Sequence, residues 1–274
     1  AYSRRMHRLT DSIGIISTGD YTKKVSVGGN DELTVLSDEF NNLVEILRAS
    51  EETRRQFVSD ASHELKTPLA SIKLLSDSIL QNELDMETVR EFVGDIGNEA
   101  DRLTRMTQKL LSLTKAEDDT AKDREITCIG PTMEKVARMI SAIAQEKSIG
   151  VNVTVEQDCS ILIIEDDLYQ ILFNLAENGI KYNKVGGSLA LKLSRVDEDA
   201  VLQVADTGVG IPEESVDRVF ERFYRVDKAR SRQSGGSGLG LSIVKTMVER
   251  NDGTISVSSK ETVGTTFTIT FPIF

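Results

Sequence analysis

His63, one of two histidines in the 274-residue chain, sits in the run FVSDASHELKTPL at 57–69, where an imidazole can serve as nucleophile, base or acid. A carboxylate adjoins it at Glu64, and a hydroxyl follows one helical turn later at Thr67. Pro68 then interrupts the amphipathic helix pattern, removing the N–H that would bond to the Glu64 carbonyl, a loss of about 3 kcal/mol in an ordinary helix interior. A breaker tolerated beside such a trio points to chemistry rather than packing. His7, in a basic cluster with no acid at helical spacing, reads as a solvated side chain.

A second set of chemical groups lies at 166–182. Asn174, Asn178 and Lys181 fall three or four residues apart, on one helix face, with Tyr182 next in line. Buried amides beside a lysine are costly unless satisfied. A triphosphate with its magnesium would do so, amide oxygen on the metal and ammonium on phosphate; taken alone, such a trio more often marks a solvated face. In VADTGVGIP (204–212) a strand ends at Asp206, followed by Gly208 and Gly210. That carboxylate can accept a hydrogen bond from an exocyclic amine while the glycines let a flat ring approach the backbone, although Asp-Gly pairs also mark ordinary turns.

The run SGGSGLGLSIV (234–244) is a third glycine cluster. It lacks the Gly-Lys-Ser/Thr of a Walker A loop, and a basic polar stretch rather than a strand precedes it, which excludes a dinucleotide fingerprint. It supplies a glycine-rich segment entering a helix N-terminus, a ready anion site, or else a bare surface loop. Just ahead, FERFYR (220–225) places Arg222 and Arg225 where one of them could meet a terminal phosphate.

Three regions must position these groups. In the first, Leu33, Leu36, Phe40, Leu43 and Leu47 form a heptad seam that calls for a partner helix. Leu9, Ile13 and Ile16 form a shorter one ending at Gly19, and Tyr21, Val25 and Val27 suit an extended connector between the two. In the second, helical patterns at about 50–81 and 87–116 flank a break at Asn82–Asp85. The apolar stripe Val89, Phe92, Ile96, Leu103, Met106, Leu110 and Leu113 predicts a four-helix bundle made by dimerisation. The third mixes strands at 151–155, 161–164, 189–194, 201–205 and 265–271 with helices at 131–146, 166–182 and 239–250. This is the pattern of an α/β sandwich with a mixed sheet. The polar stretch 116–125 reads as the linker.

A net charge of −11 argues against a duplex nucleic-acid partner, which needs a basic face. Cys128 and Cys159 suit a reducing compartment better than a disulfide framework. No apolar run approaches a membrane span. The basic cluster Arg4, Arg5 and Arg8 fits the cytoplasmic side of a membrane anchor upstream of residue 1, and from charge alone fits a solvated basic N-terminus equally well.

The order of the motifs carries a resemblance. An Asn-rich helix, Asp-x-Gly-x-Gly, Phe-x-x-Phe, then Gly-x-Gly-x-Gly entering a helix is similar to the ATP-binding domain of histidine kinases, whose fold gyrase, Hsp90 and MutL share. FVSDASHELKTPL resembles the phosphoacceptor box of the same family. Gly19-Asp20-Tyr21, the turn Gly29-x-Asp31-Glu32 and Phe40-Asn41 resemble a HAMP domain, though no proline opens the first helix. The resemblance implies a HAMP relay domain (1–49), a dimerisation and phosphotransfer domain (50–118) and a catalytic ATP-binding domain (125–274). The implied fold class is an all-α coiled coil and dimeric four-helix bundle followed by an α/β sandwich ATPase.

The same resemblance assigns roles. Asn178 becomes the magnesium ligand, with Asn174, Lys181 and Tyr182 around the phosphates, Asp206 the adenine reader, and Gly208, Gly210 and Ile211 the first glycine box. Phe220 and Phe223 form the phenylalanine box, Arg225 a phosphate ligand, and Gly236, Gly238, Leu239 and Gly240 the second glycine box. Gly264 and Thr265 form the last. Gly179 and Asn183 replace the commoner alanine and threonine, substitutions expected to be tolerated. The implied activity is transfer of the ATP γ-phosphoryl group to Nε2 of His63, aided by Glu64, then to an aspartate of a response-regulator receiver domain. Thr67 would support hydrolysis of that aspartyl phosphate, and Pro68 would be a hinge set by the coiled coil. The implied protein is a homodimer at the cytoplasmic face of the membrane. An ATPase or chaperone of the same superfamily, or a silent dimeric scaffold, are the rival readings; neither explains both the box at 57–69 and the nucleotide motifs.

Overall fold

The computed structural model describes residues 2–17, 19–25, 29, 32–117, 124–226 and 237–274. It divides into two compact units, Ala1–Thr67 and Pro68–Phe274.

The first unit opens with α1 (Tyr2–Ser17) and continues with α2 (Glu32–Gln81), which extends past the unit's end. Gly19 stops α1 in the left-handed region, φ 93°, where its N–H bonds the Ile16 carbonyl at 2.9 Å, as a helix-terminating glycine does. The connector is fastened by side chains of α2. Asn41 accepts the Val25 N–H at 2.9 Å and donates to the Val25 carbonyl at 2.8 Å, while the Ser37 hydroxyl donates to the same carbonyl at 3.0 Å. With its polar backbone satisfied, Val25 is buried against Leu33 and Phe40. Leu36, Leu43 and Leu47 remain exposed along α2. Val27 and Asp31 of the expected connector and turn lie outside the described residues.

Pro68 lies within a helix, as the pattern at about 50–81 implies. Helix α2 is continuous from Glu32 to Gln81 with the proline inside it, so the seam and the phosphoacceptor run share one 50-residue helix. One missing bond in a long ladder leaves its neighbours intact, and propagation is easy once a helix is nucleated.

In the second unit, Asp85 starts α3 (Met86–Glu117) as its N-cap, accepting the Thr88 N–H at 2.8 Å and the Thr88 hydroxyl at 2.9 Å. Of the α3 stripe, Met106 and Leu113 are buried within this unit, where α3 packs on the last helix, and Val89, Phe92, Ile96, Leu103 and Leu110 stay half-exposed. Residues 118–123 of the expected linker lie outside the described residues.

The α/β part runs β1 (Glu125–Cys128), α4 (Ile129–Glu146), β2 (Gly150–Val155), β3 (Ser160–Ile163), α5 (Glu165–Lys181), β4 (Ser188–Val196), β5 (Asp199–Asp206), α6 (Glu213–Val216), α7 (Gly240–Arg250), β6 (Thr254–Lys260) and β7 (Gly264–Pro272). Strands β1 and β3 pair antiparallel as a ribbon; the main sheet has the order β2-β4-β5-β7-β6, parallel only between β2 and β4. Alternate residues of β4 and β7 are buried, the side-chain alternation of a sheet covered on one face. Helices α4, α5 and α7 supply that cover, with Met133, Ile140, Ile171, Leu172, Ile243 and Val244 among the buried side chains. Strand β6 escaped the sequence reading because TISVSSK is serine-rich and sits at the sheet edge with no fully buried residue. Strand β1 is four residues long with one buried, too short to show a period.

Candidate active site

The phosphoacceptor segment lies on α2. His63 and Thr67 are exposed and Pro68 is buried. The Thr67 hydroxyl donates to the His63 carbonyl at 3.4 Å, a back-bond typical of threonine in helices. The His63 side chain faces solvent.

The second unit holds a cleft of about 570 Å³. It gathers Asn174, Asn178, Lys181, Tyr182, Asp206, Gly210, Ile211, Arg225, Gly238, Gly240 and Thr265, residues that span nearly a hundred positions. Of the other residues expected there, Gly208 and Leu239 act from behind the wall, and Gly236 lies outside the described residues. Arg225, rather than Arg222, lines the cleft.

Helix α5 forms one wall. Its apolar side is buried against the sheet, which turns Asn178 and Lys181 to the cleft and leaves Asn174 buried, its Nδ2 without a hydrogen-bond partner. A buried unpaired donor is costly and fits a wall completed by a polar ligand. Two ties hold α5 in place. The Asp167 carboxylate accepts from Arg250 and, at 3.0 Å, from Asn251, joining the start of α5 to the end of α7. Lys147 Nζ donates to the carbonyls of Ile180 and Lys181 at 3.2 and 3.0 Å, satisfying the last turn. Burial, and next the nearby Lys109 ammonium, push Lys181 down to about 8.

Asp206 ends β5 inside the cleft. Burial raises its carboxyl above the ordinary range, opposed by the backbone N–H groups of Gly208 and Thr265. The Gly208 N–H donates to Asp206 Oδ1 at 2.8 Å. That orients the carboxylate. A Cβ on Gly208 would stand 2.4 Å from the Tyr182 carbonyl oxygen, and one on Gly210, at φ 72°, 2.2 Å from that of Lys260. Only glycine allows these backbones to meet.

The remaining boxes act by packing. Phe220 lies edge-on to Phe267 of β7 at 6.2 Å. The Phe223 N–H donates to the Gly238 carbonyl at 3.0 Å, tying the phenylalanine box to the second glycine box. Leu239 is fully buried at the start of α7. Ser259, missed in the sequence, accepts the Ile211 N–H at 2.9 Å and bonds the Thr265 hydroxyl at 2.9 Å, joining the first glycine box to the last. Asn183 bonds the Ser188 carbonyl and the Lys184 N–H, both at 2.9 Å, so the asparagine holds its turn. Gly179 is more constrained: a Cβ there would stand 2.6 Å from Leu189 Cδ1. Also missed were Arg102, Arg105, Met106 and Lys109 of α3, which line the cleft. Their steps of three and four were the only signal, and it marks a helix face rather than a site.

Three family models match the chain: the HAMP domain over residues 3–49, the His Kinase A (phospho-acceptor) domain over 53–119, and the histidine kinase-, DNA gyrase B- and HSP90-like ATPase over 163–274. The chain belongs to the HAMP-containing sensor histidine kinases. Among relatives it is 38% identical over 226 residues to the sensor-like histidine kinase SenX3 of Mycobacterium tuberculosis, covering 81% of this chain and 54% of that one. It is 30% identical over 280 residues to the sensor histidine kinase YclK of Bacillus subtilis, covering 98% and 59%. The chain thus spans between half and two thirds of these kinases' lengths. The crystal structure of the histidine kinase ThkA in complex with the response regulator TrrA shares the fold, with a TM-score of 0.65 at 18% identity over 91% of this chain and 69% of that one. A helical region followed by an α/β ATPase domain is the architecture of this kinase family. Among the described residues no helix is long and apolar enough to cross a membrane.

Proposed function

We propose that this chain phosphorylates His63 from ATP and hands the phosphoryl group to an aspartate on a response-regulator receiver domain. The observation that carries this reading is the gathering of Asn174, Asn178, Lys181 and Asp206 into one cleft, in a chain that also presents an exposed histidine in a phosphoacceptor motif. The division into 1–49, 50–118 and 125–274 gives each activity its own domain.

In this reading Asp206 accepts the adenine amine, while Lys181 and Arg225 meet the phosphates. Among the described residues no group of three or more His, Cys, Asp or Glu could hold a metal ion. The amide oxygen of Asn178 would hold one position of a Mg2+ that arrives already ligated by triphosphate oxygens. Bound there, the ion would neutralise charge on the phosphates. Neutral His63 attacks the γ-phosphorus through Nε2; the N–P bond forms, the bond to the β–γ bridging oxygen breaks, and ADP leaves. Glu64, the adjacent carboxylate, takes the proton that the imidazolium ring releases from Nδ1. Thr67 orients a water for hydrolysis of the regulator's aspartyl phosphate. The exposed row Leu36, Leu43 and Leu47 supports a homodimer through a parallel coiled coil. The HAMP match and the Arg4–Arg8 cluster support placement at the cytoplasmic face of a membrane.

Incubation with γ-labelled ATP and magnesium tests the reading. Acid-labile, base-stable label is expected on the wild-type chain and none on His63→Gln, which should still bind ATP. Label persisting on His63→Gln refutes the assignment.

A further inference from the structure

One wall of the cleft is not accounted for by the nucleotide motifs. Arg102, Arg105, Met106 and Lys109 of α3 line it together with Glu177, Asn178 and Lys181 of α5. The three cations share a helix face. Apolar packing sets that face on the cleft: Met106 is 3% exposed, and Leu113, two turns on, is fully buried.

The charges do not balance. The lining carries Arg102, Arg105, Lys109, Lys181 and Arg225 against Glu177, Asp206 and Glu261. Arg102 is engaged by Glu99 at 3.3 Å, and Lys109 stands 3.9 Å from Glu177, next to Asn178. Among the described residues Arg105 has no ion-pair partner. Lys109 is also close enough to Lys181 to weaken its hold on a proton. Like charges crowded at the asparagine end of a cleft are a favourable setting for a polyanion.

We infer that Arg105 and Lys109 of α3 bind the terminal phosphates of the nucleotide, so that the phosphotransfer region's second helix is itself a wall of the ATP site. The inference rests on the ATP reading above. It means that nucleotide charge fastens α3 to the ATPase domain, ATP more firmly than ADP, and adenosine not at all.

The test compares the full chain with an Arg105→Ala, Lys109→Ala double variant, using calorimetric binding of Mg-AMPPNP, Mg-ADP and adenosine. Two charge-assisted contacts, one from an exposed Arg105 and one from a half-exposed Lys109, predict about tenfold weaker AMPPNP binding and about threefold weaker ADP binding, with adenosine unchanged. Unchanged adenosine affinity shows that the variant site is folded. Equal AMPPNP affinity in the two proteins overturns the inference, and so does an equal loss for all three ligands. A wild-type chain that binds adenosine no worse than AMPPNP would also overturn it. Failure of the wild type to bind any of them would instead bring down the ATP reading itself.

Discussion

Lys181 is held at about 8, below the ordinary lysine value of 10.5, first by burial and next by Lys109. Replacing it with methionine keeps the volume and removes the charge. Holding the ammonium that far below its ordinary value costs on the order of 3 kcal/mol before screening. The side chain is only partly buried, so about 1–2 kcal/mol is the expected effect after screening. The sign is set by proton binding. Below pH 8 the folded and unfolded chains both carry the ammonium, and the native state bears the whole cost of burying it. Between 8 and 10.5 the folded chain releases its proton first, so the cost shrinks; above 10.5 it is gone. Lys181→Met should therefore be more stable than wild type by about 1–2 kcal/mol at pH 7, raising the melting temperature of this unit by about 2–6 °C. That advantage should fade by pH 10.5. Calorimetric melts of both proteins at pH 7, 9 and 10.5 measure it, and the difference between proteins cancels other titrations. With AMPPNP at many times its Kd the order should reverse at pH 7, because only the wild type gains full ligand stabilisation. A melting difference independent of pH, or a less stable variant without nucleotide, would refute the account of Lys181 as a cation held ready for phosphate.

Two other substitutions separate recognition from architecture. Asp206→Asn keeps an oxygen for the Gly208 N–H but turns the other end from acceptor to donor; ATP affinity should fall on the order of 100-fold by calorimetry. Gly210→Ala should act on stability first: with φ at 72° and the new Cβ 2.2 Å from the Lys260 carbonyl oxygen, it should destabilise this unit by about 2–4 kcal/mol in urea melts, with nucleotide affinity lost as a consequence.

Much of this site was legible because its parts are short and local. Asn174, Asn178 and Lys181 share a helix face by spacing alone, and Asp206 stands at a strand end whose glycines can be read directly. Other parts were not. Ser259 is one serine among several in a polar edge strand, and only the pairing of β6 with β7 brings it between Ile211 and Thr265. The space that glycine leaves at 179 is taken up by Leu189 of β4, a contact between distant segments that spacing does not show.

Sequence by itself determined the chemical groups available: which residues carry an imidazole, an amide, a carboxylate or an ammonium, and the order in which they occur. Those properties belong to residue type and to spacing within one element, which a linear pattern preserves. Tertiary structure alone decided which wall each group occupies. The stripe on α3 had one meaning in sequence, a face to be buried. In the folded chain Met106 and Leu113 pack on the ATPase domain and carry Arg105 and Lys109 to the asparagine helix. Hydrophobic burial is non-directional, so a pattern of apolar residues says that a face will be covered; what covers it is settled by the packing of distant segments.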